Sequence, residues 1–106
     1  MTDHPCFMLI VEDEPAIREG LLNTMKAWGA KQPHFWQFAA ASSGVEGLRI
    51  ARSRPVDLLI CDIRMPGMSG IEMLEQLRRE NCDTPAILLT GYAEFEYARK
   101  ALTLGV

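Results

Sequence analysis

At 106 residues the chain has the common size of one domain and is long enough to bury a modest core. An apolar share of 48%, a charged share of 24% and a formal charge of −3 are those of an ordinary soluble globular protein, with no bulk basic charge to attract nucleic acid. Cys6, Cys61 and Cys82 follow no framework spacing, which with no signal peptide predicts free thiols in a reducing cytoplasm; no apolar run approaches membrane-spanning length.

Residues 7–11 (Phe-Met-Leu-Ile-Val) predict a first strand that ends in Glu12, Asp13 and Glu14. Pro15 suits the first turn of a helix, with Asp13 or Glu14 near its cap and the positive end of its dipole. Ile17, Leu21, Met25 and Trp28 then recur at helical spacing as an inner face, and Gly29 is a natural stop. Residues 35–40 predict a second strand, although its alanines are poor strand formers. Ser42 or Ser43 caps a second helix, with Val45, Leu48 and Ala51 inward, which ends near residues 53–55.

Residues 58–61 (Leu-Leu-Ile-Cys) then run apolar up to Asp62, and Pro66 and Gly67 punctuate the loop that follows. A short apolar run bounded by turn residues suits a buried parallel strand. Ser69 caps a third helix with Ile71, Leu74 and Leu77 on its inner face. Residues 85–90 predict a fourth strand closed by Gly91, and residues 94–104 a fourth helix with Phe95, Ala98 and Leu102 on one face. Strands alternating with helices through short links imply an α/β fold, a parallel sheet with helices on both faces and right-handed crossovers.

Three of the four strands deliver a polar residue to the same edge: Glu12 and Asp13, then Asp62, then Thr90. Ligands of open α/β sheets bind at that carboxyl edge. Gathered carboxylates repel one another, and a hard divalent cation with oxygen ligands relieves the repulsion; Mg2+ suits a site with room left for water and phosphate oxygens. Asp62 would then be a nucleophile toward a phosphoryl group, with the Thr90 hydroxyl donating to a phosphoryl oxygen. Blander readings stand beside these. Asp62 can simply start a turn, the acidic triplet can be a solvated helix start, and Thr90 can be a β-branched strand end. The sequence has no Walker-type and no G-x-G-x-x-G loop, and His4 and His34 fall outside the predicted edge, so a phosphoryl donor must bring its own activated phosphate.

The run Ile10-Val11-Glu12-Asp13-Glu14-Pro15, the block from Asp62 to Gly70 and Leu89-Thr90-Gly91-Tyr92 together resemble the receiver domain of bacterial two-component response regulators. The resemblance spans residues 7–106 and implies a flavodoxin-like doubly wound parallel sheet with strand order 2-1-3-4. It implies Asp62 as phosphoacceptor, Mg2+ held by Asp13, Asp62 and the Arg64 backbone carbonyl with Glu12 joining through water, and Thr90 as the switch hydroxyl. A sensor histidine kinase would be the donor, and DNA would be reached only through an output domain outside this chain. Residues 91–98 also resemble receivers that precede an AraC-type helix-turn-helix output.

Receivers continue after Gly-Val into a fifth strand with a Lys-Pro pair and then a fifth helix. The expectation is therefore a single receiver domain over residues 1–106, truncated at its C-terminus and lacking the phosphate-binding lysine, since Lys100 falls mid-helix. Its fourth strand would be an apolar edge prone to pairing, and dimerisation would use that edge or the fourth-helix face. Two other functions compete. An aspartate-nucleophile phosphohydrolase typically carries a second Asp two residues after the first, where this chain has Arg64. A phosphorylation-independent interaction module would have lost the switch, yet Asp13, Asp62 and Thr90 are all present.

Overall fold

A computed structural model describes residues 5–89. Thr90 and the predicted fourth helix lie outside the described residues. The elements run β1 (Cys6–Val11), α1 (Pro15–Gly29), β2 (Trp36–Ala41), α2 (Gly44–Ser53), β3 (Leu58–Asp62), α3 (Gly70–Arg79) and β4 (Ala86–Leu89). The strands form one parallel sheet in the order β2-β1-β3-β4, as expected from the sequence.

β1 is central and buried on both faces, which is why its sequence is a continuous apolar run with no alternation. Phe7, Leu9 and Val11 join Leu59 and Cys61 of β3 under Leu48 of α2 and Met73, Leu74 and Leu77 of α3. Met8, Ile10 and Ile60 face the other way, against Leu21, Leu22 and Met25 of α1. Ser69 closes α3 with a full capping box: its hydroxyl accepts from Glu72 N–H at 3.1 Å, and Glu72 Oε1 accepts from Ser69 N–H at 2.9 Å. Of the two serines considered for α2, Ser43 is the cap, accepting from Glu46 N–H at 3.1 Å. Ser42 instead donates its own N–H to Glu46 Oε1 at 2.7 Å.

Three expectations about the inner faces need correction. Val45 is 67% exposed and Ile17 52% exposed, so the inner faces of α2 and α1 begin later than the spacing suggested. Trp28 is also exposed; it meets Trp36 edge-on at 5.3 Å between ring centroids and does not enter the core. Phe35 falls just before β2 and is exposed, because the strand runs one residue further toward its C-terminus than the apolar pattern indicates.

Arg52, near the end of α2, grips Glu80 at the end of α3, with Nε donating to Oε1 at 2.9 Å and Nη2 to Oε2 at 2.5 Å. The Arg52 guanidinium holds the Glu80 carboxyl down to about 2. A depressed carboxyl contributes stability above its unfolded value that is lost as pH falls toward the folded one. Arg52→Ala is therefore expected to lower Tm at pH 7 by only about 2 °C, because the pair is exposed to solvent. Thermal melts of variant and wild type should draw together as pH falls and coincide only below about pH 2.

Candidate functional site

From central β1 the chain passes first to β2 on one side and then to β3 on the other. This reversal opens a crevice beyond the carboxyl ends of β1 and β3, the place where open α/β sheets hold their ligands. β1 ends at Val11 and β3 at Asp62, with Val11 paired to Cys61, so the residue after each partner, Glu12 and Asp62, arrives at the crevice together. Glu12, Asp13 and Asp62 each place a carboxylate oxygen there, the three atoms lying within 4.8 Å of one another. The first two strand ends expected from the sequence do converge.

The three carboxylates differ in setting. Glu12 is only 3% exposed; its Oε2 accepts from Glu14 N–H at 3.0 Å and its own N–H donates to Ala41 O at 3.0 Å. Burial pushes its carboxyl above the ordinary range against that backbone hydrogen bond, and the neighbouring Asp62 and Asp13 push the same way. Asp62 is half-buried and also raised, first by burial and then by the charge of Asp13, with the Arg64 and Ile63 N–H groups opposing. The Arg64 N–H lies 3.4 Å from Asp62 Oδ1.

The floor of the crevice is apolar and tightly built. The Cys61 thiol donates to the Asp62 carbonyl oxygen at 3.2 Å. Burial raises that thiol far above its ordinary value, so it stays a neutral packing group. Gly70, the first residue of α3, presses on the same carbonyl: a β-carbon there would come within 2.2 Å of Asp62 O. The intervening loop turns through Gly67, whose φ of +78° lies in the left-handed region.

An all-oxygen donor set with excess negative charge fits a hard cation such as Mg2+ and disfavours softer metals. Chemically the arrangement can hold such a cation and present one carboxylate, Asp62, as a nucleophile beside it.

Two features of the site escaped the sequence reading. The burial of Glu12 follows from its pairing to β2, which no local pattern reveals. The other is Arg18, whose Nη1 donates to Glu12 O at 3.0 Å and reaches Asp13 O at 3.5 Å. A signal for it existed, since a cation in the opening turns of a helix opposes the helix dipole and needs a reason.

Comparison with known proteins agrees with this geometry. Residues 8–106 match the family model described as the response regulator receiver domain. An uncharacterised response regulatory protein of Staphylococcus epidermidis is 36% identical over 95 residues, which are 90% of this chain and 36% of that protein. The regulator of RpoS of Escherichia coli is 35% identical over 99 residues, 93% of this chain and 28% of the relative. The chain thus spans only about a third of the length of these curated relatives. Among solved structures, the response regulator protein TrrA from Thermotoga maritima, in complex with Mg2+-BeF, superposes with a TM-score of 0.79 at 33% identity, covering 94% of this chain and 81% of that one. FixJ-N superposes with a TM-score of 0.83 at 28% identity, covering all of this chain and 78% of the other. With the sheet order, the acidic crevice and the family match in agreement, this chain belongs to the response regulator receiver domain family.

Proposed function

We propose that the chain accepts a phosphoryl group on Asp62 from the phosphohistidine of a sensor histidine kinase and thereby switches an output, working as a signalling module with no turnover on a separate metabolite. The observation that carries this reading is the convergence of the Glu12, Asp13 and Asp62 carboxylates at the crevice between β1 and β3. Asp62 Oδ would attack phosphorus, forming the P–O bond of an acyl phosphate as the N–P bond breaks and the imidazole leaves with a proton. Asp13, Asp62 and the Arg64 carbonyl would hold Mg2+ directly, with Glu12 acting through water. When bound, that ion supplies positive charge against the phosphoryl oxygens. Glu14 N–H keeps the Glu12 carboxylate turned into the crevice, and the Arg64 N–H lies against Oδ1 of Asp62. We assign the switch hydroxyl to Thr90, the residue after Leu89 in the sequence, and Leu89 is the β4 partner of Asp62.

A transcriptional output is favoured by relatives such as the transcriptional regulatory protein ZraR of Klebsiella oxytoca, 32% identical over 98 residues. An AraC-type output rests on residues 91–98 alone. A cytoplasmic location fits three free cysteines and, among the described residues, no helix long and apolar enough to cross a membrane. Dimerisation through β4 fits its exposed Ile87; dimerisation through the fourth helix rests on the family resemblance.

The test is intact-mass spectrometry after incubation with acetyl phosphate, with and without Mg2+, beside Asp62→Asn. The expected result is a Mg2+-dependent gain of one phosphoryl group that the variant lacks. An adduct that persists in Asp62→Asn would move the acceptor elsewhere, and no adduct on a chain that binds Mg2+ would sink the phosphoacceptor role.

A further inference from the structure

We infer that Arg18 is a positioning residue for the acidic crevice, fixing the backbone that carries Asp13 so that its carboxylate meets a divalent cation already oriented. The inference rests on the Mg2+ site proposed above and adds a residue to it. Arg18 stands at the fourth position of α1, where the unsatisfied N–H groups of the helix start make a cation unfavourable. It stays because its guanidinium turns back over the β1–α1 turn. One nitrogen, Nη1, donates to the carbonyl oxygen of Glu12 at 3.0 Å and lies 3.5 Å from that of Asp13. The two peptide units it spans are those from which two of the three crevice carboxylates project.

The rest of the turn is fixed differently. Glu12 is tied to β2 through its N–H and to Glu14 through its carboxylate, and Pro15 stiffens the helix entry. Asp13 lies between these anchors on a peptide whose carbonyl faces Arg18. A charge-assisted hydrogen bond from a planar guanidinium holds such a carbonyl with more directional constraint than an ammonium can. Partners that orient metal ligands without touching the metal typically change its affinity by about tenfold or more.

Positioning and plain electrostatics predict opposite signs. If Arg18 were only a positive charge near the crevice, removing it would relieve repulsion of an incoming cation and tighten binding. If it orients Asp13, removing it loosens binding. Lysine separates the two, since it keeps the charge and loses the fixed direction of the planar guanidinium's N–H.

The experiment measures Mg2+ affinity by isothermal titration calorimetry for wild type, Asp13→Asn, Arg18→Lys and Arg18→Leu, with thermal melts in EDTA as the folding control. The expected result is affinity weakened about tenfold in Arg18→Leu and less in Arg18→Lys, with both melting near wild type without Mg2+. In acetyl phosphate reactions, Arg18→Leu should need more Mg2+ for half-maximal rate yet approach the wild-type rate at saturating Mg2+, a split that a merely unfolded fraction would not give. Unchanged or tighter Mg2+ binding in Arg18→Leu overturns the role of Arg18 and leaves the Mg2+ site standing. Wild type that binds no Mg2+, or Asp13→Asn that binds as well as wild type, overturns the site and the inference together. Should Arg18→Leu melt early, Arg18→Lys carries the test, and wild-type affinity in it would equally overturn the inference.

Discussion

Gly70→Ala is expected to destabilise the protein by about 3 kcal/mol and to lower its Tm by roughly 15 °C. The cause is a single methyl group. Built on Gly70, it falls 2.2 Å from the Asp62 carbonyl oxygen, 3.0 Å from the Asp62 carbonyl carbon and 2.9 Å from Cys61 Sγ. Two of those three atoms are backbone, so no rotamer change relieves the overlap, and either α3 or the end of β3 must move. Neither moves freely. α3 is held by Ile71, Met73, Leu74 and Leu77, all buried, and by the Gly70 N–H donated to Ile63 O at 2.8 Å. β3 is hydrogen-bonded to both β1 and β4. The residue that shifts carries the nucleophile, so the surviving folded fraction should also bind Mg2+ more weakly.

The control is Gly20→Ala. Gly20 is exposed on α1, and a β-carbon there meets nothing within 4 Å. Alanine in an open helix interior should stabilise by about 0.5–1 kcal/mol relative to glycine. Opposite signs from one chemical change at two glycines would show that contact with Asp62, and not helix propensity, governs position 70. Chemical denaturation of both variants measures this, and a Gly70→Ala midpoint within error of wild type would refute the contact.

The Gly70 contact also marks where sequence reasoning stops. Strand runs, helix caps and their alternation were readable because each is local: the apolar run of residues 7–11, Pro15 at a helix start, and Ser69 three residues before Glu72. The convergence of Glu12, Asp13 and Asp62 was readable too, since parallel strands send their carboxyl ends to one edge whatever the details of packing. The partners of Arg18 and Gly70 were not, because each residue acts on a backbone carbonyl that only the path of an irregular turn brings near; the helix dipole marked Arg18 as out of place without saying what it meets. The exposure of Val45, Ile17 and Trp28 was missed for a related reason. Periodicity says which residues share a helix face, whereas burial depends on how far along the helix the sheet extends beneath it.

Asp62→Asn is expected to raise the Tm of the metal-free protein at pH 7 by about 5 °C while removing most of the stabilisation that Mg2+ confers. The folded state forces three carboxylates within 4.8 Å, and burial and mutual repulsion raise Glu12 and Asp62 above their ordinary values of 4.5 and 3.8. A raised carboxyl means that the folded chain keeps protons the unfolded chain releases. Stability from these two groups is therefore greatest at low pH and falls as pH rises from about 4 through their displaced values. Asparagine removes one charge and relieves its neighbours; with the crevice partly open to water, solvent screening limits the gain to about 1 kcal/mol. Glu46 and Glu80, both lowered, give slopes of the opposite sign, so the informative quantity is the difference between wild type and Asp62→Asn across pH 4–7, which cancels them. Mg2+ reverses the balance, because it binds only the deprotonated carboxylates; at ten times its Kd it adds about 1.4 kcal/mol to wild type, and more as pH rises. The variant should thus be the more stable protein in EDTA, with its advantage shrinking or inverting in saturating Mg2+. Were Asp62→Asn to melt below wild type in EDTA at pH 7, the three carboxylates would not be repelling one another, and the electrostatic reason for a cation in this crevice would be gone.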